Sequence, residues 1–325
     1  MAALGVPGCG HRIGVAAAVI GLAALAAGCS GNSRHASGPE KTTIVVGAVP
    51  AVDTAGLYIA QQRGYFAAEG LRVKIEPIVS SELAISRQLA GIYDITFGGY
   101  VSYIQADAEH RADLRILAEG SVMGQGEQGL LTMPGSRITT LTRLRGATVA
   151  LNVVNNVGTI LVGSALEEVG LSPSAVKFVQ IPFPDMAAAL MRHRVDVAWM
   201  PEPFVSSTEE QLGAQDISDL DSGSAAGFPL VGYAATRPWE QRYPRTEAAF
   251  LRALEKGQKV ADTDRAAVEH AMEAFLGVPP QVAAVIALPQ YILGGVNQAR
   301  MRRVADAMQR FGMLKVRFDV SQMIG

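Results

Sequence analysis

A chain of 325 residues with 49% hydrophobic and 18% charged side chains can bury a large core, and its length suits two lobes or domains. The formal charge of −2, with no run of Lys or Arg longer than a pair, leaves no electrostatic footprint for a polyanion. Nucleic acid is therefore not an expected partner.

The N-terminus reads as a leader rather than as fold. His11 and Arg12 precede the uncharged stretch Ile13 to Ala27, which is short for a membrane span and ends at Gly28 and Cys29. Ala26, Ala27 and Gly28 before that cysteine resemble a bacterial lipobox, with Ala26 where a leucine is usual and Leu25 one position further out. The expectation is a lipoprotein signal peptide over 1–28, lipidation of Cys29, and stable anchoring by several acyl chains. The other cysteine, Cys9, goes with the leader, so the mature chain has no disulfide. Residues 29–41 lack apolar periodicity and read as a flexible tether.

From Thr43 the pattern turns to alternating strand and helix. Thr43 to Val49 is a β-rich run, Asp53 or Thr54 can cap a helix through Leu57 and Ile59, and "RVKIEPI" from Arg72 alternates as a strand. Tyr58, at helical spacing with Leu57, reads as core. Ser80 and Ser81 offer N-caps for a helix through Leu89, Gly91 can end it, and "DITF" from Asp94 forms a third strand. "GQGEQG" (Gly124 to Gly129) matches G-x-G-x-x-G but runs into the strand-like "LLTM" instead of opening a helix. It reads as a mobile crossover loop from which Gln125, Glu127 or Gln128 can reach a ligand.

About a hundred residues on, the order returns. "ATVAL" (Ala147 to Leu151) leads through a polar loop to a helix from about Gly158 to Val169, then the strand "VKFVQI" from Val176. Asp185 can cap the next helix, which runs through His193 to the strand "DVAWM" from Asp196. Gly70-Leu71 matches Gly170-Leu171, and "YDI" at Tyr93 matches "VDV" at Val195. Asp94 and Asp196 both follow helix ends and are expected to bind local backbone amides. Helices over Thr246–Lys259, Arg265–Leu276, Pro280–Leu288 and Gln298–Arg310 follow, with no third copy.

This predicts an α/β fold of two similar lobes, each a mostly parallel sheet flanked by helices, with a ligand crevice between the carboxyl ends of their strands. The expected division is 42–135 for the first lobe, 136–230 for the second, and 231–325 returning to the first. Enzyme signatures are missing. His110, His193 and His270 are the histidines outside leader and tether and show no metal-ligand spacing, and there is no G-x-S-x-G elbow.

The stretches "AGLYIAQQRGYFAAEGLRVKI" (Ala55 to Ile75), "LRGATVALN" (Leu144 to Asn152) and "MAAALMRHRVDVAWMPEPF" (Met186 to Phe204) resemble the solute-binding proteins of ABC importers for nitrate, sulfonates, taurine or thiamine pyrimidine precursors. The resemblance implies a two-lobed periplasmic-binding-protein fold of type II that closes on a small molecule and docks on a permease with its ATPase subunit. The expected receptor is a monomer without cofactor or metal, held by its lipid anchor at the outer face of the cytoplasmic membrane. Carried over by position, the ligand-facing residues are Asp53, Thr54, Ser80, Ser81, Gly98, Gly99 and Tyr100 in the first lobe. In the second they are Asn152, Asn156, Gly158, Thr159, Phe183, Asp185, Trp199 and Glu202.

Hydroxyls, amides and helix N-termini suit an anion, and aromatic faces suit stacking. Three carboxylates, Asp53, Asp185 and Glu202, would repel an anion, which tilts the expected ligand toward an amine or pyrimidine, with sulfonate or nitrate next. Glu202 reads equally as a helix cap near the hinge or a ligand contact. An envelope sensor and a cofactor-precursor enzyme on the same fold are the alternatives.

Overall fold

The computed structural model of the protein describes Gly38–Gly325. The leader, Cys29 and all but the end of the tether lie outside the described residues.

In chain order the first half holds β1 (Thr43–Ala48), α1 (Ala55–Gln62), α2 (Tyr65–Ala68), β2 (Arg72–Pro77), α3 (Ser81–Leu89), β3 (Ile95–Gly99), α4 (Tyr100–Ala108), β4 (Leu114–Val122) and β5 (Gln128–Thr132). Then come β6 (Thr148–Leu151), α5 (Val157–Glu168), β7 (Lys177–Gln180), α6 (Phe183–Met191), β8 (Val197–Pro201), α7 (Phe204–Leu212), β9 (Gln215–Asp219) and β10 (Pro229–Thr236). The tail adds α8 (Arg237–Arg242), α9 (Pro244–Thr263), α10 (Arg265–Leu276), α11 (Pro280–Ala283), β11 (Gln290–Tyr291) and α12 (Gln298–Arg310).

Two sheets result. The first runs β11-β4-β10-β3-β1-β2 and the second β7-β6-β8-β5-β9. In the first, β1 pairs parallel with β2 and β3; in the second, β6 pairs parallel with β7 and β8. The fourth strand of each sheet is antiparallel and comes from the other side of a crossover: β10 enters the first sheet after the second is finished, and β5 enters the second directly after β4. The two sheets thus have the same order, as the repeat in the sequence predicted. Because β5 pairs with β8 and β9, the first crossover lies before Gln128 and not after 135. The chain returns to the first sheet at Pro229, where β10 begins.

One local device fixes both copies. After α3, Asp94 accepts a hydrogen bond from Val45 N at 2.9 Å; after α6, Asp196 accepts one from Thr148 N at 2.7 Å. Each carboxylate ties the strand it precedes to the first strand of its own lobe, as expected for residues that follow helix ends. Asp94 is also bound by Lys41 and, at 2.8 Å, by the Trp239 indole. These bonds fasten the start of the described chain and α8 to the same point.

Several boundaries differ from expectation for identifiable reasons. Helix α6 starts at Phe183 with Pro182 as its N-cap, so Asp185 is an exposed first-turn residue and not the cap. Pro184 suits that first turn because its fixed φ is already helical. Neither Asp53 nor Thr54 caps α1 by its side chain: the Thr54 hydroxyl donates to Ala51 O at 2.6 Å, and Asp53 accepts from Ser121. The helix expected over Pro280–Leu288 ends at Ala283, since the chain must extend to place β11 beside β4. Of the tail, α9 packs on α1 and α2, and Gln258 on it donates to the carbonyls of Glu119, Gly120 and Ile292 at 3.0 Å each. Tyr58 is buried and stacks on Phe275, as core.

Candidate functional site

An inner cavity of about 70 Å³ lies between the two sheets, at the carboxyl ends of their strands. The first lobe contributes Asp53, Ser81, Glu82, Gly98, Gly99 and Ser102; the second contributes Gln128, Asn152, Asn156, Phe183 and Trp199. Apolar side chains, among them Phe97, Val157 and Leu230, close the rest. Eight of the fifteen residues carried over by position thus come together, with Gln128 from the crossover-loop candidates as a ninth.

Register explains the second-lobe wall. Trp199 on β8 lies opposite Leu130 on β5, and Pro201 lies opposite Gln128. Residues two apart share a sheet face, so Gln128 and Trp199 are diagonal neighbours on the face turned to the cavity. Trp199 stays there because it lies flat against Gly158, where an added Cβ would stand 2.5 Å from the ring, and edge-on to Phe183 at 5.4 Å between centroids. Both polar side chains are almost wholly buried, yet Trp199 Nε1 and Gln128 Oε1 have no hydrogen-bond partner among the described residues. Gln128 Nε2 donates to Glu127 Oε1 at 2.7 Å, so its carbonyl is the free end. A buried polar atom left unpaired costs about 1–3 kcal/mol, which a complementary ligand atom recovers.

Across the cavity the first lobe presents carboxylates. Glu82 stands in the first turn of α3, and its Oε1 accepts from Ser102 Oγ and from Asn156 Nδ2, each at 2.6 Å. Ser102 is the third residue of α4, and Asn156 is the N-cap of α5, with its Oδ1 accepting from Val157 N at 2.7 Å. The N-termini of three helices therefore meet at one carboxylate supplied by the protein, where their dipoles favour negative charge. The Asn156 bonds also join the two lobes. Ser81 Oγ accepts from Gly99 N at 2.9 Å, leaving its own proton to donate; Gly98 permits this, since a Cβ there would lie 2.6 Å from that oxygen.

Behind the cavity wall, Asp53 and two further buried carboxyls, Glu127 and Glu202, converge where the lobes join. Burial raises the pKa of Asp53, pushes that of Glu127 well above the carboxylate range with Asp53 adding to it, and raises that of Glu202. The folded state thus favours protons on this group, and a cation placed beside Asp53 would favour its carboxylate form. Glu127 was named in the sequence only as one of three loop candidates; it is wholly buried and braces Gln128 from behind.

The remaining expected residues lie elsewhere. Glu202 accepts from Ser206 N at 3.1 Å, Ser206 Oγ at 2.6 Å and Ala287 N at 3.1 Å, so it ties α7 to the strap leading to β11 and does not line the cavity. Thr54 and Tyr100 are fully buried off the cavity, Ser80 caps α3 by accepting from Leu83 N at 3.2 Å, and Thr159 accepts from Asn155 N at 3.0 Å. Gly158 acts by seating Trp199, and Asp185 is exposed. Glu82 and Ser102 are the polar residues that sequence reasoning missed. Glu82 follows two serines already read as caps, and that first-turn position was the available signal.

A wider groove of about 680 Å³ lies on the far side of the first lobe, lined in part by Asp94, Asp113 and Trp239. Its carboxylates are already paired, Asp94 as described and Asp113 with Arg237 at 2.8 Å.

Residues 51–265 match the family model described as NMT1/THI5 like. Among solved structures, the fold is similar to the periplasmic aliphatic sulphonate binding protein SsuA from Escherichia coli, at 19% identity and a TM-score of 0.71, over 87% of this chain and 97% of that one. It is similar to the periplasmic nitrate-binding protein NrtA from Synechocystis PCC 6803, at 15% identity and a TM-score of 0.74, over 87% and 84%. The desulfurization enzyme DSZB also shares it, at 16% identity and a TM-score of 0.66, over 87% and 96%. No curated protein sequence matches.

Proposed function

The chain belongs to the NMT1/THI5-like family, and from that premise we infer that it is an extracytoplasmic solute receptor that closes on a small nitrogen-bearing molecule and hands it to an ABC permease. Its fold is that of periplasmic binding proteins, two of which carry sulphonate and nitrate in their names. The ligand reading departs from theirs on one observation. The cavity lining holds two carboxylates, Asp53 and Glu82, and no Lys, Arg or His, while Glu82 already fills the anion-favouring point where three helices begin. A sulfonate or nitrate there would meet no cationic side chain and, at Glu82, a carboxylate already in place. An amine or an aminopyrimidine meets complementary groups: a carboxylate for its cation or N–H, the Gln128 carbonyl as acceptor, the Trp199 N–H as donor, and ring faces for stacking.

The enzyme reading has one support, the shared fold of DSZB. Against it, the cavity lining includes neither His nor Cys. The reading also places the receptor as a monomer at the outer face of the cytoplasmic membrane, anchored through Cys29; Cys29→Ser should move it from the membrane to the soluble fraction.

A thermal-shift panel tests the ligand. Aminopyrimidines, thiamine and small amines are set against taurine, alkylsulfonates and nitrate, with the bound compound recovered and weighed by mass spectrometry. A probe at about a hundred times its Kd adds about 2.7 kcal/mol, several degrees in Tm. Shifts confined to nitrogen bases recovered unchanged support the receptor. Shifts confined to anions overturn the ligand class, and a chemically altered product overturns the receptor in favour of an enzyme.

A further inference from the structure

The inner cavity shares the walls Val49 and Phe183 with a second space, an apolar groove of about 250 Å³. The groove is floored by Pro77 and Val79 from the first lobe and by Pro184 and Phe204 from the second, and no charged or polar side chain lines it. An aromatic wall runs through the junction: Phe183 is edge-on to Trp199 at 5.4 Å and stacked on Phe204 at 5.5 Å, 26° from parallel. Val79, 59% exposed at the mouth, is an apolar side chain that nothing in the fold covers.

We propose that the ligand occupies both spaces: a nitrogen-bearing head among Asp53, Gln128 and Trp199, and an apolar substituent laid along Phe183 and Phe204 in the groove. Size supports this. The inner cavity takes a small head and little more, whereas the two spaces together just pass the roughly 300 Å³ at which small-molecule sites begin. Polarity supports it as well, since every group able to bind the head lines the inner cavity and only apolar side chains line the groove. Both lobes line the groove, five of its eight residues coming from the first and three from the second, so the substituent is gripped by closure and contributes to it. Such a ligand is amphiphilic, and a base stripped of its substituent is a poor substitute. The inference rests on the nitrogen-base reading above and specifies what that base carries.

Calorimetric titration of the protein with benzylamine and 4-butylbenzylamine tests it. The butyl chain should lower Kd at least tenfold, because burying two of its four carbons is enough. Val79→Asn, on an exposed residue whose exchange leaves folding intact, should remove most of that gain and leave benzylamine within about twofold. Equal or weaker binding of the butyl compound overturns the inference and leaves the nitrogen-base reading standing; a groove reserved for entry or for another protein predicts that result. An equal loss for both probes in the Val79 variant overturns it too. If neither probe binds, the nitrogen-base reading falls and the inference with it.

Discussion

The two lobes share a strand order and even the aspartate that bolts each third strand to the first, yet they bring different chemistry to the cleft. The first lobe supplies carboxylates and hydroxyls, Asp53, Glu82, Ser81 and Ser102; the second supplies rings and amides, Trp199, Phe183, Gln128, Asn152 and Asn156. Repetition therefore accounts for the scaffold and says little about the site. On the proposed function, charge is read by one half and shape by the other, and a ligand that satisfies both would hold them together.

The largest test of that division is on the second lobe. Trp199→Ala removes a buried ring seated on Gly158 and should cost about 3–5 kcal/mol, read as a lower midpoint in urea, together with loss of ligand binding. Trp199→Phe keeps most of the packing and removes the free N–H, so it should keep most of the stability and still weaken binding. If the Phe variant binds as well as the parent, the indole N–H has no part in recognition.

The paired aspartates come next. Asp94 is buried and holds three donors, whereas Asp196 is exposed and holds one. Asp94→Ala should cost about 2–3 kcal/mol and Asp196→Ala about 1 kcal/mol. Equal costs would mean that Lys41 and Trp239 add nothing, and that the lobes are fastened alike.

Asn156→Ala removes the bonds that cross from α5 to Glu82 and Ser102, and with them the cap of its own helix, for about 1 kcal/mol. Unliganded, this variant should show a larger radius of gyration in small-angle scattering than the parent. An unchanged radius would show that the crossing bonds do not hold the lobes closed.

The smallest effect is one of sign. Burial raises the pKa of Glu127 well above the carboxylate range, so the folded chain holds that proton more tightly than the unfolded one. Its contribution is fully present below about pH 4 and is lost as pH rises toward the folded value. Glu127→Gln mimics the protonated carboxyl. It should melt close to the parent near pH 4 and higher than the parent at pH 8. A gap that is equal at both, or reversed, contradicts a protonated Glu127.

The sequence made the scaffold plain because its signals are local and occur twice: strand, capped helix, Gly-Leu, strand, and an aspartate after a helix. Helices α10 and α12 match expectation to the residue for the same reason, with caps at Asp264 and Asn297. The site was only half legible. Trp199, Phe183, Asp53 and Asn156 sit where the strand ends put them, but Glu82 and Ser102 gain their role from helices that meet only in the folded chain. Glu202 shows the converse. A carboxylate that read equally as a helix cap or a ligand contact is spent on Ser206, in the first turn of α7, and on Ala287, which lies 85 positions away in sequence.

The central claim is that first-lobe carboxylates set the charge of the ligand. Benzylamine and benzenesulfonate, alike in size and opposite in charge, measure it directly by titration against the parent and Asp53→Asn. Benzylamine should bind at least about tenfold tighter to the parent, and the preference should shrink in the variant by roughly the 1.5–3 kcal/mol of a charged hydrogen bond. Tighter binding of benzenesulfonate to the parent would contradict the account.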